Sequence, residues 1–282
     1  MELYHRQFSQ ELDVRNAPAT QRTLIVASTP RSGSHMLGHS LAEAGIFGVP
    51  FEYANPGNLA EWQRKFSLSD PLETMREIMR RRTGENGLFA IKLHHTHLSL
   101  FGGFEGMMAF FPNPQIVRIV RRNVLNQAIS LSTARQTRVW IEGQVGSGQE
   151  AVYKDEMIED CLRTLVLGNA AWTYDLARTG TSEHEVFFED AVQDLPGTLQ
   201  SIASYLGIAV DPERLPSTPP TRKQSSSGKN EWAERFVAKQ GRKGLDESIV
   251  QLHSNLEVKT LTSLRSAKNL VRRVQALAGK KK

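Results

Sequence analysis

"TLIVASTPRSGSHMLGHSLAEAG", residues 23–45, decides the fold. Its first six residues form an apolar, β-rich run of the kind that a parallel sheet buries on both faces. A five-residue loop follows, Thr29 to Gly33, with a proline, an arginine and two hydroxyls, and Ser34 then opens a helix-like segment over 34–45. A strand that feeds a helix through a Gly-containing turn aims several backbone N–H groups at one point. The helix N-terminus adds partial positive charge there. This is the layout of a phosphate-binding loop. Yet the Gly-Lys pair of the Walker A pattern is missing, so a lysine-gripped, magnesium-bound triphosphate is disfavoured. On this stretch alone an ordinary strand-to-helix turn with an exposed arginine stays open.

Working outward, further β-rich runs stand at "GLFAIKL" (87–93), "QIVRIV" (115–120) and "HEVFF" (184–188). Helical patterns lie between and after them, at 71–82, 123–138, 155–178 and 191–206. Strands alternating with helices predict an α/β fold, a P-loop-like parallel sheet flanked by helices. Two stretches read as loops, Gly-rich 142–150 and the Pro- and Ser-rich 211–230. The second is a linker or a lid. Loops 55–70 and 140–155 are expected to shape a substrate pocket.

At 282 residues the chain is long enough for one large core. The reading is a single domain over 1–255 and a basic amphipathic helix or tail over 256–282. From Glu257 to Lys282 there are eight Lys or Arg and one Glu, whereas the whole chain carries +5. The rest is therefore net acidic, and the basic pI is no argument for nucleic-acid binding. The N-terminus shows no secretory pattern, and no apolar run approaches the ~18–20 residues that span a bilayer. Cys161 is the only cysteine. A cytoplasmic protein is expected.

A second anion-binding candidate lies in "IVRIVRRNVLNQAIS" (116–130), which passes from strand to helix. Arg122 sits at the junction, and Ser130 is eight residues on, roughly 12 Å along a helix. Alone, Arg121 and Arg122 read as solvated charges. With the first loop they suggest a ligand with two separated anionic groups, the arginine gripping a phosphate in bidentate fashion.

The combination of "TPRSGS" with "RRNVLNQAIS" about ninety residues later resembles the sulfotransferases that use 3′-phosphoadenosine 5′-phosphosulfate. Within them it is most similar to bacterial carbohydrate sulfotransferases of the trehalose 2-sulfotransferase type, through "PRSGS", "GVPFEY", "NQAISL", "QTRVW" and "NEW". The resemblance implies that the co-substrate's 5′-phosphosulfate is held by Thr29, Pro30, Arg31, Ser32, Gly33 and Ser34. Its 3′-phosphate would fall to Arg122 and Ser130, and Lys92 would lie beside the transferring group. A basic loop closes over the 3′-phosphate in cytosolic relatives, which makes Arg222 a lid candidate. No metal is implied.

Sulfuryl transfer needs in-line positioning, stabilised charge on the leaving oxygen and a base for the acceptor hydroxyl. Arg31 is assigned the leaving-group charge. Two bases compete. Glu52 in "GVPFEY" matches the base of the trehalose-type enzymes, provided that its surroundings raise its pKa. His94 in "IKLHHTH" matches the catalytic histidine of the cytosolic ones. Glu52 is preferred, with His94 orienting substrate or sharing the proton. A metal site at His95 and His97 lacks a Cys or paired acids.

Trp140 suits a sugar ring, which points to a carbohydrate or glycolipid acceptor. The C-terminal tail could meet a membrane surface or a second subunit, or simply pack on the domain. Rival readings are a P-loop kinase and a non-catalytic nucleotide-binding protein on the same fold.

Overall fold

The computed structural model describes residues 6–141, 144–220 and 229–240. Four strands form one wholly parallel sheet: β1 (Arg22–Ser28), β2 (Leu88–His94), β3 (Pro114–Val120) and β4 (Glu183–Phe187), in the order β2-β1-β3-β4. The predicted α/β architecture is thus observed, and the four predicted strands match to within a residue or so. β1 lies centrally, and six of its seven residues are buried. That explains its unbroken apolar run.

Alternate residues of β1 enter two cores. Ile25 and Ala27 join Phe89, Ile91, Trp62 and Trp172 on one face. Leu24 and Val26 join Leu88, Ala90, Leu37 and Leu41 on the other. The period of two therefore sets which face each sheet residue serves. Lys92 shares the parity of Leu88 and Ala90, and so lies on the face covered by the helix that follows β1.

The helices are α1 (Ser34–Glu43), α2 (Pro56–Phe66), α3 (Pro71–Arg82), α4 (Phe104–Phe110), α5 (Val124–Thr137), α6 (Asp155–Thr179), α7 (Phe188–Gln193), α8 (Leu195–Leu206) and α9 (Lys229–Gln240). Two expectations need correction. Most of 55–70 is helix α2 and not loop: Asn55 caps Gly57 N–H and Pro56 occupies the first helical position, both N-terminal signals. The single helix expected over 191–206 is two. Pro196 has no N–H to continue α7, and Asp194 instead caps α8 through Gly197 N–H. A 3-10 turn over His95–Phe101 and helix α4 were not anticipated.

The chain partitions into two compact units, Met1–Ala233 and Glu234–Lys282. Of the second, residues 234–240 are described, and they are helical. The predicted tail 256–282 and the core of the proposed lid, 221–228 with Arg222, lie outside the described residues. Among those described, no helix is long and apolar enough to cross a membrane.

Topology places the site. From β1 the chain goes to β2 on one side, then crosses to β3 and β4 on the other, so the sheet's switch point lies between β1 and β3. The loops leaving the carboxyl ends of those two strands face one crevice, the usual ligand position in an open α/β sheet. They are the two segments singled out by sequence. The outer edge of β2 carries a further piece of chain: Phe51 pairs with Ile91, and Lys92 N–H donates to Phe51 C=O (2.9 Å). That pairing delivers Glu52 to the same crevice.

Candidate active site

The loop after β1 is bent by two left-handed residues, Arg31 (φ 63°) and Gly33 (φ 95°). Gly33 caps α1, and Phe188 packs so closely that a Cβ there would lie 2.1 Å from its ring. Glycine is therefore required twice over, by φ and by space. Gln127 of α5 braces the loop by donating to Thr29 Oγ1 (3.0 Å) and Pro30 C=O (2.7 Å). Thr29 in turn donates to Asn169 of α6 (3.4 Å). Ser32 is fully buried, and its hydroxyl has no protein partner among the described residues. A buried polar group of that kind is what an oxyanion ligand would satisfy. The loop's geometry fits an oxyanion.

Arg31 ties the loop after β1 to helix α5 and to the segment that follows that helix. Its Nε donates to Ser130 Oγ (3.0 Å), and its Nη1 donates to Trp140 C=O. Burial and the nearby charge of Arg121 push the Arg31 guanidinium down to about 10, still protonated at neutral pH. Arg121 is half-buried over the Phe188 ring, with Glu189 4.0 Å from its Nε. Arg122 points elsewhere. It is exposed, lies over the Phe187 ring and clasps Asp190 with both nitrogens (Nη2 to Oδ2, 2.8 Å). Of the two arginines at the junction, Arg121 is the one whose charge reaches Arg31, while Arg122, the residue of the sequence motif, is engaged by Asp190.

Glu52 lies at the centre of a polar cluster. Lys92 Nζ is 2.7 Å from its Oε2, while Oε1 accepts from Asn55 Nδ2 (3.1 Å) and faces the Nε2 atoms of His94 and His97, each at 3.7 Å. Asn58 Nδ2 donates to the Glu52 carbonyl (2.9 Å) and fixes the backbone. Burial alone would raise the carboxyl, but the charges of Lys92, His94 and His97 and the hydrogen bond from Lys92 outweigh it. The group is held well below the usual carboxylate range. The sequence reading made the base assignment conditional on surroundings that raise this pKa, and the ammonium in contact holds it the other way.

The two histidines are held by different bonds. His94 Nδ1 lies 3.0 Å from the Ser28 hydroxyl and 3.2 Å from the Ser28 carbonyl, which leaves Nε2 facing Glu52. His97 Nδ1 accepts from the His94 backbone N–H (3.2 Å), so its proton sits on Nε2. Burial is the main cause that lowers both, against the opposing charge of Glu52; His97 falls to about 4. His95 points away and bonds Asp175 (2.8 Å) against the edge of Trp172. Among the described residues, no group of three or more His, Cys, Asp or Glu side chains is arranged to hold a metal ion.

Sequence reasoning missed several members. Gln127, Asn169, Asn55 and Asn58 are lone amides without a motif of their own, and only packing reveals their targets. Arg121, read together with Arg122 as a solvated charge when taken alone and as part of a two-anion site in combination with the loop, was given no separate role. His35 and His39, four residues apart on α1, were also missed.

A sequence model of the Stf0 sulfotransferases matches residues 23–239. Trehalose 2-sulfotransferase of Mycobacterium tuberculosis (strain ATCC 35801 / TMC 107 / Erdman) is 26% identical over 264 residues, covering 79% of this chain and 97% of that protein. Among solved structures, a sulfotransferase from Alicyclobacillus acidocaldarius aligns with TM-score 0.46 and 18% identity, over 79% of this chain and 92% of that one. Retinol dehydratase, solved with androsterone and the inactive cofactor PAP, aligns with TM-score 0.45 and 16% identity, over 81% and 80%. The chain belongs to the Stf0 sulfotransferase family and is a sulfotransferase.

Proposed function

We propose that the enzyme transfers the sulfuryl group of 3′-phosphoadenosine 5′-phosphosulfate to a hydroxyl of a carbohydrate or glycolipid, with Glu52 as general base. One observation carries the reading: a buried, ionised carboxylate in contact with a lysine, on the same sheet edge as a glycine-turned anion loop.

In this reading Arg31, Ser32, Ser34 and the backbone around Gly33 would hold the phosphosulfate. Arg121 with Ser130 would grip the 3′-phosphate. Arg122 could take that part only by exchanging Asp190 for the ligand. The acceptor hydroxyl gives its proton to Glu52 and its oxygen bonds to sulfur. The bond from sulfur to the 5′-phosphate oxygen breaks, and the electron pair stays on that oxygen, where Arg31 offsets the charge. Lys92 has two anions to choose between. Once it engages the sulfuryl oxygens it leaves Glu52, whose basicity then rises when a base is needed. His94, whose Nε2 faces Glu52 at 3.7 Å, is placed to share the proton.

The carbohydrate acceptor is inferred from the activity that the mycobacterial relative's name states and from Trp140, two-fifths exposed beside Arg31. Sugar rings stack well on such a face.

Calorimetric titration with adenosine 3′,5′-bisphosphate, with and without magnesium, and with ADP and ATP for comparison, tests the donor. Magnesium-independent binding that discriminates against ADP is expected, and a preference for magnesium-ATP would sink the assignment. Glu52→Gln should then keep nucleotide binding and lose roughly 10²–10⁴ in turnover on a panel of sugar acceptors. Full activity there together with a dead His94→Ala would move the base to His94.

A further inference from the structure

We propose that His35 is a further substrate-contacting residue of the transfer site, its imidazole Nε2 donating a hydrogen bond to the sulfuryl group in flight. This rests on the sulfuryl-donor reading above, and it adds a group that neither the loop motif nor the paired carboxylate and lysine contains.

His35 is the second residue of α1, directly after the anion loop. α1 covers the sheet face onto which Lys92 projects, because Lys92 has the parity of Leu88 and Ala90, which pack with Leu37 and Leu41 of that helix. The charges that reach His35 are those of Lys92, His39, Glu52 and Arg31, so it lies near the groups assigned to the base, the transferred group and the leaving oxygen. Its ring meets that of His39 edge-on with centroids 4.3 Å apart, and His39 packs on Phe51 at 4.7 Å, the residue before Glu52. The ring is therefore fixed in place by packing.

Yet its Nε2 is buried with no hydrogen-bond partner among the described residues. Buried nitrogens are rarely left so, and one beside an oxyanion path is explained when the ligand supplies the acceptor. Burial and the Lys92 charge keep the ring neutral. A neutral donor suits this place: it adds a directed bond to a sulfuryl oxygen without a third cation competing with Lys92 for Glu52.

The test separates the donor with its sulfuryl group from the product without it. Affinities of adenosine 3′,5′-bisphosphate and of 3′-phosphoadenosine 5′-phosphosulfate are measured calorimetrically for the full chain, for His35→Ala and for His35→Gln. His35→Ala should bind the bisphosphate within twofold of the original and the phosphosulfate about tenfold more weakly. His35→Gln, whose amide nitrogen reaches the Nε2 position, should recover most of that loss. Equal weakening of both ligands would reduce His35 to a support for the loop, and no change in either would remove it from the site. If the unaltered chain binds neither nucleotide, the donor reading itself fails, and this inference fails with it.

Discussion

Lys92 Nζ lies 2.7 Å from one oxygen of Glu52, and the other oxygen faces two histidine nitrogens at 3.7 Å. The pair is largely buried, at 8% and 20% exposure of the two side chains. Such a pair adds little net stability when whole and costs a great deal when halved, because the remaining charge stays desolvated. Lys92→Met should therefore lower stability by about 3 kcal/mol. Lys92→Met with Glu52→Gln should cost distinctly less than the two single changes summed. Denaturant midpoints of the four proteins check this, and strict additivity would mean the pair is not coupled.

The two junction arginines make a second comparison. Arg121 stands beside Arg31, whereas Arg122 is held by Asp190 on the surface. Arg121→Ala should weaken adenosine 3′,5′-bisphosphate binding by roughly 10- to 100-fold, the ~1.5–3 kcal/mol of a charged hydrogen bond. Arg122→Ala should change it less than threefold. The reverse ranking in a titration would return the 3′-phosphate to Arg122.

Gly33 meets Phe188 where any other residue would carry a Cβ. Gly33→Ala combines a left-handed backbone penalty with overpacking, about 2–3 kcal/mol together. Adding Phe188→Ala should relieve the clash but not the backbone strain, so the double variant should lose less than the sum. Thermal melts and bisphosphate affinity report both effects.

Acid should destabilise the fold earlier than carboxylate protonation alone would. Burial is the main cause that lowers His39 and His97 to about 4 each, against an ordinary value of 6.5. The unfolded chain thus binds more protons between pH 4 and 6.5. The stability these groups contribute is complete above 6.5 and is lost as the pH falls to 4, on the order of 3 kcal/mol for each. Glu52, also lowered, acts with the same sign further into acid. Urea midpoints at pH 7.5, 6 and 5 should fall steadily. His39→Leu should flatten that slope, and an unchanged slope would show that His39 does not bury a neutral ring.

Much of the protein was legible before any coordinates. The apolar run at 23–28 read as a buried strand, and the proline, arginine and glycine after it read as a bent turn into a helix, with anion binding suggested only in combination with the second segment. Local physics fixes these, since apolar period and turn chemistry act over a few residues. Helix α2 was hidden because its sequence is mostly polar and its cap was overlooked. Glu52 and Lys92 were each singled out, but nothing forty residues apart says that they touch. The edge pairing of Phe51 with Ile91 brings them together. That contact decides the direction of the Glu52 pKa, which the sequence left open. The choice between Arg121 and Arg122 likewise depends on where Phe188 and Asp190 pack, on an element more than sixty residues away. Sequence determined which chemical groups this protein has and which local turns they sit on. Tertiary structure decided which of them face each other, because charge and proton affinity depend on distance in space and on burial, and neither is written along the chain.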